Sequence, residues 1–176
     1  MRLDNDRTPL EGRVEMDDAY LGGKRSGGKT GRGSPRKRPI VVALQSSDGK
    51  APARLKVRRI ARFKRKRVKS LAKRIIAQGA FVAGHEHHPI VTGASRHGAG
   101  HPSFRWMNTV LANIKTAIIA TYKAVRKKHL VRTLAEFEWR FNNRENLSAM
   151  VPVLACAAMR SKPVPYWQLK IADYGA

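Results

Sequence analysis

Four stretches of this sequence hold residue types that could do chemistry. In Arg13 to Leu21, RVEMDDAYL, Asp17 and Asp18 stand side by side within an alternation of apolar and acidic residues. Carboxylates suit hard divalent cations such as Mg²⁺, which take oxygen ligands, although a strand-end Asp is more ordinarily a solvated turn residue. Gly84-His85-Glu86-His87-His88-Pro89 invites a metal reading too. No second cluster stands at structural-zinc spacing, however, so a polar loop near phosphate is the better account. The 21 residues from Arg54 to Arg74 hold twelve Lys or Arg and no acid. Ordinary solvated faces mix both signs, so this run is read as a surface for a polyanion, with Arg58, Arg59, Arg62, Lys64, Arg65, Lys66, Arg67 and Lys69 as its contacts. Residues 22 to 38, GGKRSGGKTGRGSPRKR, are Gly, Lys and Arg without apolar period. They read as a basic loop that adds Lys24, Arg25, Arg36, Lys37 and Arg38 to the same surface.

The whole chain agrees with that polyanion. Lys and Arg number 36 against 12 Asp and Glu in 176 residues, a formal charge of +24, far beyond what solubility requires. Anionic membrane is the competing partner, but no apolar run approaches the roughly 20 residues of a bilayer span and no segment reads as a signal peptide. Nucleic acid is therefore the expected partner and a membrane is not. The single Cys156 lies in the small, apolar stretch Val151 to Ala158 and is expected to be a buried, inert thiol. Without a disulfide or zinc-ribbon framework, a reducing compartment such as the bacterial cytoplasm, close to the nucleoid, is expected.

Elements must hold these residues in place. The alternation of Val14 and Met16 with Glu15 and Asp17 predicts a strand with Asp17 pointing away from the Val14 face. Ile40 to Leu44 is a β-branched strand, Ser46-Ser47-Asp48-Gly49 supplies a turn, and Leu55-Lys56-Val57 starts a third strand of a meander. Val68, Leu71, Ala72, Ile75 and Ile76 recur at helical spacing from Lys64 to Gln78, with Gly79 placed to stop the helix. The next twenty residues yield one weak strand. Phe104, Met107, Leu111, Ile114 and Ile118 mark a helix to about Tyr122, and Leu130, Leu134, Phe137 and Phe141 a second. Met150, Leu154 and Ala157 mark a third. Trp106, Phe137, Trp139 and Phe141 could stack on bases, but their helical spacing favours core packing for most of them. Three strands, a helix, an ambiguous piece and further helices make an α+β layout.

Two blocks, VEMDDAYLGGKR and HPSFRWMNTVLANIKTAIIATYKAV followed by HLVRTLAEFEWRFNNR, resemble the ISXO-like insertion-sequence transposases of bacteria. The resemblance runs from about Val14 to the C-terminus. It implies a ribonuclease H-like catalytic domain, placed at residues 13–160 between an N-terminal extension (1–12) and a tail (161–176). In that family two Asp and a third residue, Glu or Asn, hold two divalent metals, Mg²⁺ or Mn²⁺, and a Lys follows seven residues after the third ligand. Asp17 falls on the first ligand, and Asn108 with Lys115 on the last pair. Seven residues are two helical turns, so Asn108 and Lys115 share a face, one free to reach a metal and the other a phosphate.

The implied function is metal-dependent cleavage of element ends and their joining to target DNA, with double-stranded DNA as partner and room for a homodimer. This sequence departs from the pattern in the middle. The family's second Asp ends a strand shortly after a helix like Lys64 to Gln78, whereas here Glu86 is the only acid between Asp48 and Glu136. The expectation is a deletion of that strand with its Asp, in a chain that also starts without the family's usual DNA-end reader. Strand transfer is then expected to be lost. The alternative is a basic nucleic-acid-binding protein that has kept the transposase surface and does no metal chemistry.

Overall fold

The computed structural model describes residues 8–22, 37–47, 51–83, 105–122, 125 and 128–171. Strands β1 (Arg13–Leu21), β2 (Arg38–Ser47) and β3 (Ala51–Arg59) form the expected antiparallel meander. A fourth strand, β4 (Phe81–Ala83), completes a sheet of order β3-β2-β1-β4. It runs parallel to β1, with Phe81 beside Arg13, Val82 beside Val14 and Ala83 beside Glu15. It lies in the stretch to which the sequence reading assigns one weak strand. Three residues are too few to show a period, and they pair because β1 offers them an open edge. The strand carries no acid.

Helix α1 (Arg65–Ile75) lies between β3 and β4 in sequence, and α2 (Arg105–Tyr122), α3 (Leu130–Asn142), α4 (Leu147–Arg160) and α5 (Tyr166–Ile171) follow. Strand alternation divides the sheet into two apolar faces. Ala19, Leu21, Val42 and Leu44 meet Met107 and Ile114 of α2 and Leu130 and Leu134 of α3. Val14, Val41 and Ala43 meet Leu71 and Ile75 of α1 on the other side. The sheet is thus sandwiched between helices, in an α+β fold.

Helix α1 is shorter than its apolar spacing predicts. Ile76 leaves it in extended conformation because Leu10 takes its place in a backbone exchange, the Leu10 N–H donating to the Ile75 carbonyl and the Ala77 N–H to the Leu10 carbonyl, both at 2.8 Å. Leu10 is fully buried, so the segment just before β1 contributes to the core through this residue. Gly79 follows in a left-handed turn at φ +83°, a conformation that suits glycine.

Two expectations about α4 fail together. The helix forms, with the Asn146 side chain accepting from the Ala149 N–H at 3.2 Å as its N-cap, but none of its residues is buried. Of the predicted ladder, Met150 and Ala157 are only half-buried and Leu154 is exposed, and Cys156 is exposed rather than buried. Apolar spacing reports a stripe but does not say whether the chain supplies a surface to cover it. Among the described residues, no helix is long and apolar enough to cross a membrane.

Candidate functional site

Strand β1 lies inside the sheet, between β2 and β4, so its side chains point to one covered face or the other. Asp17 shares its parity with Ala19 and Leu21, which pack under α2 and α3, and therefore faces away from Val14 as its sequence position predicts. It stands opposite Val42 of β2, is half-buried, and its Oδ1 accepts the Asp18 N–H at 2.7 Å. Asp18, on the α1 side, is exposed.

Glu15 has the same parity as Asp17 and is 6% exposed. The Arg13 guanidinium reaches its Oε1 only at 3.8 Å, and its Oε2 is buried with no hydrogen-bond partner among the described residues. Burial pushes the Glu15 carboxyl above its ordinary value, with the Arg13 charge pulling weakly the other way.

Asn108 and Lys115 lie on α2, and both are exposed. Leu111, three residues after Asn108 and four before Lys115, is buried against the sheet, so the two polar residues border the stripe by which α2 packs. Helix α2 itself packs against β1. The fold thus joins the helix that carries Asn108 and Lys115 to the strand face that carries Asp17. Half-buried carboxylate and exposed amide oxygens are the donors a hard divalent cation takes, so Asp17 and Asn108 fit such an ion by donor type. Among the described residues no group of three or more His, Cys, Asp or Glu gathers. The segment His85 to His88 lies outside the described residues.

The basic run divides into two kinds of residue. Arg62, Lys64, Arg65, Lys66, Arg67 and Lys69, on and just before α1, are all exposed. Helix α1 has no acid in its first turn and no side-chain cap, so its free N–H groups add to that positive surface. It covers the face opposite α2. Its cations meet β1 at a groove of about 500 Å³ lined by Asp17, Asp18, Tyr20, Phe63, Lys64 and Lys69 among others. Lys56 and Arg58 are drawn inward instead: Lys56 is buried at 1% exposure, and the Arg58 guanidinium pairs with the fully buried Glu138 carboxylate. Arg59, Lys37 and Arg38 are half-buried, and Lys24, Arg25 and Arg36 lie outside the described residues. Trp139 is buried, while Trp106, Phe137 and Phe141 are partly buried against the core, as helical spacing predicts.

Sequence reasoning missed what α3 does for β3. The Glu138 Oε2 accepts the Val57 N–H at 2.8 Å. Asn142 accepts from the Leu55 N–H at 2.7 Å and donates to the Leu55 carbonyl at 3.0 Å. Arg144 donates to the Ala53 carbonyl at 3.3 Å and also to that of Pro52. Side chains of one helix end thus satisfy the outer backbone of an edge strand. The signal was present, because Leu130, Leu134, Glu138 and Asn142 continue one ladder at four-residue spacing, and a helix row that turns from apolar to polar predicts polar partners beneath it.

With this geometry in place, comparison with known proteins adds one finding. The profile of the ISXO2-like transposase domain matches residues 9–142, which takes in the sheet and helices α1 to α3. No curated protein and no solved structure matches the chain.

Proposed function

The chain belongs to the ISXO2-like transposase family, a group of DDE-type insertion-sequence transposases, and from that premise we propose that it is a ribonuclease H-like DNA-handling domain whose strand-transfer chemistry has been lost. The observation that carries this reading is the placement of Asp17 on an inner strand, on the face packed by the helix that bears Asn108 and Lys115. The ribonuclease H-like assignment draws support from a sheet with three antiparallel strands, a crossover helix, and a fourth strand parallel to the first.

In this reading Asp17 and Asn108 hold a divalent metal, Mg²⁺ or Mn²⁺, and Lys115 meets a phosphate oxygen of the DNA. A divalent pair, when bound, neutralises charge on the attacking and leaving oxygens of an in-line phosphoryl displacement. Arg62, Lys64, Arg65, Lys66, Arg67 and Lys69 grip the backbone of double-stranded DNA by releasing its counterions. The loss of joining follows from β4, whose residues Phe81, Val82 and Ala83 offer no carboxylate where the family pattern calls for one. Glu86 remains the only acid between Asp48 and Glu136.

The test is strand transfer by the purified chain, fused to a separate end-binding domain, in Mg²⁺ and in Mn²⁺. Binding without nicking or joining is the expected result, and insertion of a family-like strand end with its Asp after Gly79 is expected to raise joining. Robust joining by the natural chain that Asp17→Ala abolishes would show the chain to be an active transposase. The missing acid on β4 also favours a second reading, in which the chain only binds nucleic acid and holds no metal. Divalent binding that Asp17→Asn weakens separates the two.

A further inference from the structure

We propose that Glu15 and Asp17 together form a single-ion site for a divalent cation on the α2 side of β1. This rests on the reading of Asp17 as a metal ligand and adds a second carboxylate to it. The two residues are two apart on one strand, so they project to the same face with Cβ atoms roughly 6.5–7 Å apart. Glu is longer than Asp by one methylene, and both side chains can lean toward an ion held between them.

The Glu15 side chain is almost fully buried, yet among the described residues its Oε2 has no hydrogen-bond partner. An orphaned carboxylate oxygen of that kind is costly and rare in folded proteins, and calls for an explanation. Arg13 does not supply one, because its nearest approach is to the other oxygen and lies close to the outer limit of an ion pair, at 3.8 Å. The flanking positions do not either: Glu15 stands between Leu44 of β2 and Ala83 of β4, neither of which has a side-chain donor. A cation between Glu15 and Asp17 satisfies that oxygen. Mg²⁺ commonly takes only one or two carboxylates and keeps water on its remaining positions, so two ligands from one strand suffice. One ion is still not a two-ion centre, and joining is not restored by it.

The experiment titrates the whole natural chain, Glu15→Gln, Glu15→Asp and Asp17→Asn with Mn²⁺, reading free Mn²⁺ by its paramagnetic resonance, with thermal melts to establish folding. Glu15→Gln and Asp17→Asn are each expected to weaken Mn²⁺ at least about tenfold, and Glu15→Asp by less, because charge count and reach set the affinity of such sites. If Glu15→Gln binds Mn²⁺ like the natural chain while Asp17→Asn does not, Glu15 is no ligand and the reading of Asp17 stands. If Asp17→Asn also binds unchanged, that reading fails with it. A measurement on the natural chain needs no variant: Fe²⁺ with ascorbate and peroxide is expected to cut the backbone within Arg13 to Asp18. Cleavage confined to other segments, or none in β1, overturns the proposal.

Discussion

Glu138 is fully buried beside two cations, so its protonation is coupled to folding. Burial raises its carboxyl above the ordinary 4.5, outweighing the opposing pull of Arg58, the Val57 N–H and Lys56. A carboxyl whose folded value is raised contributes stability that is complete below its unfolded value and is lost as pH rises through the folded one. The natural chain is therefore expected to lose stability relative to Glu138→Gln as pH climbs from about 4.5 toward neutrality. Urea unfolding of both proteins from pH 4 to 8 measures this, and a constant difference across that range contradicts it. At this scale the sequence was legible where a residue's type and its period agreed. Asp17 was placed on the correct face of β1 by alternation. The same alternation puts Glu15 on that face, but its burial depends on what packs over the strand and could not be read from RVEMDDAYL. Cys156 shows the opposite failure: apolar neighbours suggested burial, and no covering surface exists for it among the described residues.

The helices were legible in extent because an apolar row of three or four turns is a strong signal, and α2 and α3 fall close to their predicted bounds. Their ends and the short strand were not, since these depend on pairing between distant segments. Helix α1 stops at Ile75 because Leu10 takes its last carbonyl, and β4 exists because β1 has a free edge. Gly79, in the turn between them, has a φ of +83° and open space around the position of a Cβ. Gly79→Ala should accordingly cost about 1 kcal/mol from backbone conformation alone, seen as a lower urea midpoint with unchanged slope; an unchanged midpoint would show that the turn relaxes freely. Asn142→Ala removes both hydrogen bonds to Leu55 and should cost about 2 kcal/mol, one for each bond. A loss below about 0.5 kcal/mol would mean that water replaces the side chain at no penalty.

For the molecule as a whole, the net charge of +24 pointed to a polyanion from composition alone, but only the fold shows which cations are available. Lys56 is buried and the half-buried Arg58 is held by Glu138, whereas the cations on and just before α1 stand clear. DNA affinity should therefore fall steeply with salt, and replacing Lys64, Arg65, Lys66 and Arg67 by Ala should flatten the log–log slope by about one for each phosphate no longer neutralised. Titrations by fluorescence anisotropy at several salt concentrations decide it, and a slope unaltered by the four changes would place the DNA elsewhere. The seal that α3 lays along β3 carries a further consequence, for biosynthesis. Its hydrogen bonds join residues 81 to 92 positions apart. At roughly 5–20 residues per second, a ribosome therefore leaves β3 with a bare edge for several seconds after making it. During that interval the nascent chain presents a template onto which another extended segment can add, and a product that stops short of Glu138 keeps that template for its lifetime.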